Sequence, residues 1–79
     1  MKVKFDGDEY NLVFTDHGKQ RLDERNISLE VVKDSIEYYD KKYQSYGKQV
    51  VEKYIKPDTI RTVFEIKRSH IILITSIRL

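Results

Sequence analysis

The chain has 79 residues, of which 35% are charged, and 15 lysines and arginines against 13 aspartates and glutamates give a formal net charge of +2. A single domain of this length buries only about 60% of its unfolded surface, so we expect any site to be a shallow groove rather than a large internal cavity. The absence of cysteine excludes disulfides, thiolate zinc sites and thiol nucleophiles, and two histidines far apart predict no metal site.

No segment approaches the roughly 20 apolar residues that a membrane span needs, and the N-terminus has no apolar run typical of a signal peptide. We therefore expect one domain, residues 1–79, that is cytoplasmic and does not bind membranes. The nearly balanced charge favours nucleic acid only mildly, so the local arrangement of cations must decide the function.

Residues 2–14 are predicted to form a β-hairpin. Asp6-Gly7 is a two-residue turn signal between stretches of alternating apolarity. That turn places Val3 opposite Tyr10 and directs the apolar side chains of both strands to one face. The apolar face of the hairpin should therefore be part of the core.

Two helices are predicted after the hairpin. Thr15 is a suitable N-cap for a first helix that ends near Arg25, and Ser28 is a suitable N-cap for a second helix. Apolar side chains recur at helical spacing in the second helix, which makes it the better core element. The tyrosine- and lysine-rich stretch 40–47 has no clear period, so we predict a loop or a frayed helix end there.

Three antiparallel strands are predicted from Lys48 onward, with turn-like segments at 56–59 and 67–70. Tight loops would pair Val51 with Phe64 across the first two of these strands. The fold class is therefore α+β: an N-terminal β-hairpin, two helices and three antiparallel strands, with the helices packed on one sheet face.

The same register predicts a polar row of Lys53, Thr62 and Thr75 in the middle of the apolar sheet face. An unpaired buried polar group costs roughly 1–3 kcal/mol, so this row needs partners. The first helix, which carries His17 and Arg21, is the natural supplier. The alternative is that threonines are simply common in strands and that Lys53 extends to solvent at an edge.

His17, Arg21 and Arg25 recur every four residues and therefore follow one stripe of the first helix. Two arginines at i and i+4 repel each other by roughly 0.2–0.5 kcal/mol, so a compensating partner is expected. The candidates are an anion such as phosphate, or the nearby carboxylates of Asp23 and Glu24. The ordinary alternative is a solvated helix face with mixed charge.

Chemistry without a cofactor suits these residues. No nucleophile elbow and no phosphate-binding glycine loop is present. RNA supplies its own nucleophile in the 2′-hydroxyl, so cleavage needs only proton transfer and cations for the developing phosphate charge. His17 is the candidate proton-transfer group, although a histidine at a helix start is more often a surface or capping residue.

The stretch from Phe14 to Val32 resembles the His-x3-Arg-x3-Arg-x-Ile-Ser opening of a family of small proteins grouped with the RelE- and BrnT-like toxins of toxin–antitoxin modules. The resemblance extends over nearly the whole chain from Phe14. It implies a RelE-like domain that cleaves messenger RNA and has an antitoxin protein as a partner. It also implies a catalytic site formed by His17, Arg21 and Thr75.

Two hypotheses from different classes follow. In the first, the protein is a metal-independent ribonuclease in which His17 transfers protons while Arg21 and Lys53 stabilise phosphate charge. Three further arginines would position the RNA strand: Arg25, Arg61 and Arg78. In the second, the protein is a non-catalytic interaction module that binds a protein partner or nucleic acid through its half-polar sheet face. The predicted polar row opposite the histidine-bearing helix favours the first.

Overall fold

The computed structural model describes all residues, 1–79, and consists of two helices and one six-stranded mixed sheet. The elements in chain order are β1 (Lys2–Phe5), β2 (Asp8–Val13), α1 (Asp16–Glu24), α2 (Leu29–Glu37), β3 (Lys41–Ser45), β4 (Lys48–Ile55), β5 (Asp58–Lys67) and β6 (His70–Arg78). The strand order is β1-β2-β6-β5-β4-β3, in which β2 runs parallel to β6 and all other neighbours are antiparallel. The predicted α+β class with two helices is confirmed, whereas the sheet has one strand more than predicted.

The N-terminal hairpin and both helix starts follow the sequence signals. Val3 pairs with Tyr10 as predicted, across a turn in which Asp6 and Gly7 have φ of 51° and 90°. The Thr15 hydroxyl accepts a hydrogen bond from the third residue of α1 at 3.0 Å, and the Ser28 hydroxyl caps α2 in the same way at 3.2 Å. Local propensity and capping therefore decide these boundaries.

The prediction of a loop or frayed helix end for 40–47 is wrong, because these residues form β3 and its turn to β4. Tyr46 and Gly47 have φ of 51° and 75°, the left-handed backbone of a two-residue hairpin turn. Ser45 and Lys48 pair directly across that turn. β3 has no apolar period because it is an edge strand rich in lysine, as is usual for strands with one free edge.

The β4–β5 register differs from the predicted one by two residues. The loop contains only Lys56 and Pro57, so Val51 pairs with Thr62 instead of Phe64. A shift of two residues keeps every side chain on its predicted face. Lys53, however, pairs with Ile60 and not with Thr62, so the polar row loses its lysine.

A β-bulge in the β5–β6 pair changes the polar row again. Phe64 pairs with Leu73 as predicted, but an extra residue in β6 then moves Thr75 opposite Val63 and Ser76 opposite Thr62. The Thr62 and Ser76 hydroxyls are both fully buried and lie 2.9 Å apart. Placing Thr75 in the middle of the helix-covered face was therefore wrong, because one bulge reverses the facing of all later β6 residues.

The core lies between the helices and one face of the sheet. α2 packs against β1, β4 and β5, and α1 packs against β6. Neither helix is long and apolar enough to cross a membrane. The core cluster has eleven buried residues: Val3, Phe5, Leu12, Leu22, Ile27, Val32, Ile36, Val51, Phe64, Ile71 and Leu73.

Candidate functional site

The C-terminal end of α1 is built by a backbone motif. Asn26 has φ of 54°, and its N–H donates to the Asp23 carbonyl at 3.1 Å. The Ile27 N–H reaches back to the Leu22 carbonyl at 2.9 Å, and both side chains lie in the core. This is a Schellman ending with asparagine at the left-handed position, and it fixes the preceding Arg25 in space.

The Arg25 side chain joins α1 to the last strand. Its Nη1 donates to the Thr75 Oγ1 at 3.1 Å and to the Ser76 carbonyl at 3.0 Å. β2 pairs with β6 only over residues 70–72, so no strand covers this part of the β6 edge. The guanidinium therefore satisfies an acceptor that a neighbouring strand would otherwise bind.

The Arg78 side chain makes the reverse connection. It donates from Nη1 to the Arg25 carbonyl and from Nη2 to the Asn26 carbonyl at 2.6 Å. Its Nε lies 3.3 Å from the Asp58 carboxylate. Arg78 therefore binds the free carbonyls at the end of α1, where the helix dipole favours cations, and ties them to the first residue of β5.

His17 and Arg21 lie on the same stripe as Arg25, two turns and one turn closer to the start of α1, respectively. Both are exposed, and neither side chain forms a hydrogen bond or ion pair within the chain. Glu24 accepts from Gln20 at 3.3 Å, and no ion pair joins the α1 carboxylates to either arginine. Intramolecular salt bridges therefore do not account for the arginine pair.

The bulge decides where Thr75 lies relative to this stripe. Because Thr75 pairs with Val63, it belongs to the sheet face away from the helices, which we call the outer face. The Arg25 guanidinium thus passes the β6 edge to bind Thr75. The structure brings Thr75 together with Arg25, and no hydrogen bond links Thr75 to His17 or Arg21. A shared catalytic site of these residues stays a prediction.

The other cations named as RNA-binding candidates are each close to a carboxylate. These ion pairs reduce the positive charge that the side chains offer to a phosphate. Arg21 and Arg25 on α1, by contrast, form no ion pair with a carboxylate. The pairs are Lys53 with Asp40 at 3.5 Å, Arg61 with Glu52 at 3.2 Å and Arg78 with Asp58 at 3.3 Å.

A groove of about 290 Å³ lies on the outer face at β3, β4 and β5, with Val50 and Val63 in its lining. The Tyr43 hydroxyl donates to Glu52 at 2.8 Å, and this bond, with help from Arg61, lowers the pKa of the Glu52 carboxyl. The same bond raises the pKa of the Tyr43 hydroxyl, so the pair is held as phenol and carboxylate.

This groove is absent from the sequence-based predictions, because residues 40–47 were expected to form a loop. The available signal was the concentration of four tyrosines between residues 38 and 46. A smaller concavity of about 280 Å³ lies between the two helices, beside Asp23 and Ser28. No three histidine, aspartate or glutamate side chains come close enough together to hold a metal ion.

Comparison with known proteins gives the family and nothing finer. The sequence model of a family described as "Domain of unknown function (DUF4258)" matches residues 14–78, which is most of the chain. The chain therefore belongs to the DUF4258 family, and the N-terminal hairpin up to Val13 lies outside the matched part. No curated protein and no solved structure matches the chain.

Proposed function

We propose that this member of the DUF4258 family is a metal-independent ribonuclease of RelE-like type, which cleaves single-stranded RNA such as messenger RNA along the α1 stripe. One observation carries the proposal. Arg21 and Arg25 form a cationic pair without a carboxylate partner, whereas Lys53, Arg61 and Arg78 all have one. An arginine pair without ion-pair partners suits a phosphate, which guanidinium groups bind with directed hydrogen bonds.

The proposed reaction needs no group beyond the RNA, the side chains and water. The ribose 2′-oxygen bonds to the adjacent phosphorus, its proton leaves, and the bond from phosphorus to the 5′-oxygen breaks as that oxygen gains a proton. His17 transfers one of these protons, and solvent exchanges the other. The products are a 2′,3′-cyclic phosphate and a 5′-hydroxyl.

In this proposal the two arginines stabilise the charge that develops on the phosphate oxygens. Arg25 uses only Nη1 to bind Thr75 and Ser76, so Nε and Nη2 are free to face the phosphate. Thr75 then acts by holding the guanidinium in place and not by proton transfer. Preorganisation of this kind removes the cost of ordering a long side chain during the reaction.

The test is cleavage of a fluorescent RNA oligonucleotide, without ribosomes in buffer containing EDTA and with ribosomes in buffer containing Mg²⁺. His17→Ala should lower the cleavage rate by about 10²–10⁴-fold, the usual contribution of one proton-transfer group. His70→Ala is the matched control, because His70 is exposed at the start of β6 and its side chain hydrogen-bonds only with Ser69, and should leave the rate unchanged. A 2′-deoxy oligonucleotide should not be cut. Undiminished cleavage by His17→Ala, or inhibition by EDTA, contradicts this mechanism.

The second candidate is a non-catalytic interaction module whose outer face binds a protein partner such as an antitoxin. The observation that favours it is exposed apolar surface, since Val13 and Ile74 are 42% and 43% exposed on neighbouring strands. If the protein cleaves no RNA under any of these conditions and co-purifies with a protein partner, and Val13→Lys abolishes that binding, this candidate replaces the ribonuclease.

A further inference from the structure

The outer-face groove has the components of a stacking site. Tyr43 is a half-buried side chain whose hydroxyl is fixed by Glu52, and the Lys41 ammonium lies 5.5 Å from the centre of its ring. The groove is further lined by the Arg61 guanidinium, held through its Nε by the same Glu52. A fixed aromatic ring and a fixed guanidinium plane therefore border the same space.

The groove lining also contains an apolar floor and the ring of a fully exposed tyrosine. Val50 is 3% exposed and forms part of the floor, although it points to the sheet face that the helices do not cover. Tyr46 is 100% exposed at the tip of the β3–β4 turn and contributes to the lining. A fully exposed tyrosine beside an apolar floor offers large flat contact area to a planar ligand.

Both cations in the groove lining are in ion pairs, Arg61 with Glu52 and Lys48 with Glu65. The Lys41 ammonium beside the Tyr43 ring lies in no ion pair. One such cation does not make a phosphate or acidic-peptide site, so the aromatic and apolar surface leads the recognition. An uncharged planar ring with polar edges is the ligand chemistry that suits stacking surfaces of this kind.

We propose that this groove binds an unpaired nucleobase of single-stranded RNA, which stacks against Tyr43 and Tyr46 beside the Arg61 guanidinium. The inference rests on the proposed function, because the α1 stripe would bind the phosphates of the same strand. The groove lies on the outer face and α1 on the helix-covered face, so an RNA strand that reaches both must pass the β6 edge, where the Arg25 guanidinium already meets Thr75 of the outer face. Along the sheet, β3 and β6 are three strand spacings apart, roughly 14 Å. The groove then selects unpaired RNA, since a base in a duplex has no free face.

The experiment uses the full chain and a fluorescent 2′-O-methyl RNA decamer of mixed sequence, which lacks the 2′-hydroxyl needed for cleavage. A second probe has the same backbone with abasic sites in place of the bases. Wild-type protein should bind the decamer more tightly than the abasic chain. Tyr43→Leu should weaken decamer binding by about 5- to 100-fold, the range for loss of one stacked base, and leave abasic binding unchanged.

Three variants separate stacking from folding. Tyr43→Phe keeps the ring and should retain decamer binding, although it loses the bond to Glu52. Tyr46→Asn should weaken decamer binding while keeping the turn, because asparagine tolerates a φ of 51°. Tyr38→Ala is the matched control, since Tyr38 is 66% exposed at the end of α2 and outside the groove.

The failures of the two proposals are distinguishable. If Tyr43→Leu and Tyr46→Asn bind both probes like wild type, while Arg21→Ala loses affinity for both, the groove proposal is overturned and RNA binding at α1 stands. If wild-type protein binds neither probe, both proposals are overturned. If the tyrosine variants lose a protein partner and not the decamer, the groove is a protein-binding surface.

Discussion

Arg25 and Arg78 each bind the backbone of the other's segment. The Arg25 guanidinium donates to the carbonyl of Ser76 at 3.0 Å, and the Arg78 guanidinium donates to the carbonyl of Arg25 itself. The two side chains thus link the end of α1 to the unpaired edge of β6 in both directions. The candidate site depends on this link, because it fixes the last cation of the α1 stripe.

We expect Arg25→Ala to lower the free energy of unfolding by about 1.5–3 kcal/mol, because the Ser76 carbonyl loses a charged donor. Arg21→Ala is the matched control, since Arg21 is exposed and without partners, and should change stability by less than about 0.5 kcal/mol. Urea unfolding followed by circular dichroism measures both values. Equal stability of the two variants would contradict a structural role for Arg25.

The reciprocal link predicts coupling between Arg25 and Arg78. Either alanine substitution alone already loosens the end of α1 from β6. The second substitution should therefore lower the free energy of unfolding less in the single variant than in wild type. We expect a coupling energy of about 0.5–3 kcal/mol from the double-mutant cycle, measured by urea unfolding of all four proteins. Strict additivity would show that the two side chains act independently.

Ser76→Ala should destabilise the protein by about 1–3 kcal/mol, because it leaves the fully buried Thr62 hydroxyl without its partner at 2.9 Å. Adding Thr62→Val removes that unpaired hydroxyl and should restore part of the loss. Thermal unfolding of the single and double variants gives the comparison, with about 4–8 °C in Tm for each kcal/mol in a domain of this size. A double variant less stable than Ser76→Ala would count against this pairing.

The Asp6 carboxylate should make stability depend on pH at the acid end. Bonds from the Lys42 ammonium and then the Tyr39 hydroxyl lower the Asp6 pKa below 3.8. A lowered carboxyl pKa stabilises the fold above about pH 4, and this stabilisation is lost as pH falls through the lower folded value. Asp6→Asn should therefore have a lower Tm than wild type at pH 7, and the difference should shrink as pH falls below 4.

Asparagine is a matched replacement at that position. It tolerates the positive φ of Asp6 and still accepts from the Tyr39 hydroxyl, so the substitution removes mainly the charge. The difference in Tm between the two proteins cancels the titration of all other groups. A difference that stays constant between pH 7 and pH 2 would show that the charge of Asp6 does not stabilise the fold.

RNA affinity should fall steeply as salt rises from 50 to 200 mM, because the α1 stripe binds phosphate by displacing counterions. For single-stranded RNA, Arg21→Ala should reduce the slope of log affinity against log salt by about 0.7, the value for one phosphate contact. Lys53→Gln should leave the slope unchanged, because Lys53 already faces Asp40. Fluorescence anisotropy with an uncleavable oligonucleotide measures the slopes, and a salt-independent affinity would favour the protein-binding candidate.

Several features of the fold could be predicted from local sequence alone. The Asp6-Gly7 turn fixes the first hairpin, and the hydroxyls of Thr15 and Ser28 mark the helix starts. These signals depend on a few neighbouring residues, and tertiary contacts do not override them. The four-residue spacing of the α1 stripe was equally visible, and α1 does carry it.

The sequence by itself thus determined the α+β class, the helices and the His17-to-Arg25 stripe, because each depends on short-range geometry. Only the tertiary structure decided that Thr75 and not Lys53 meets the stripe, since a bulge and a shorter loop shift the strand registers. It also decided that Arg25 binds β6 while Arg21 is free. Registers and ion pairs join residues far apart in the chain, and a period of two or four residues carries no information about them.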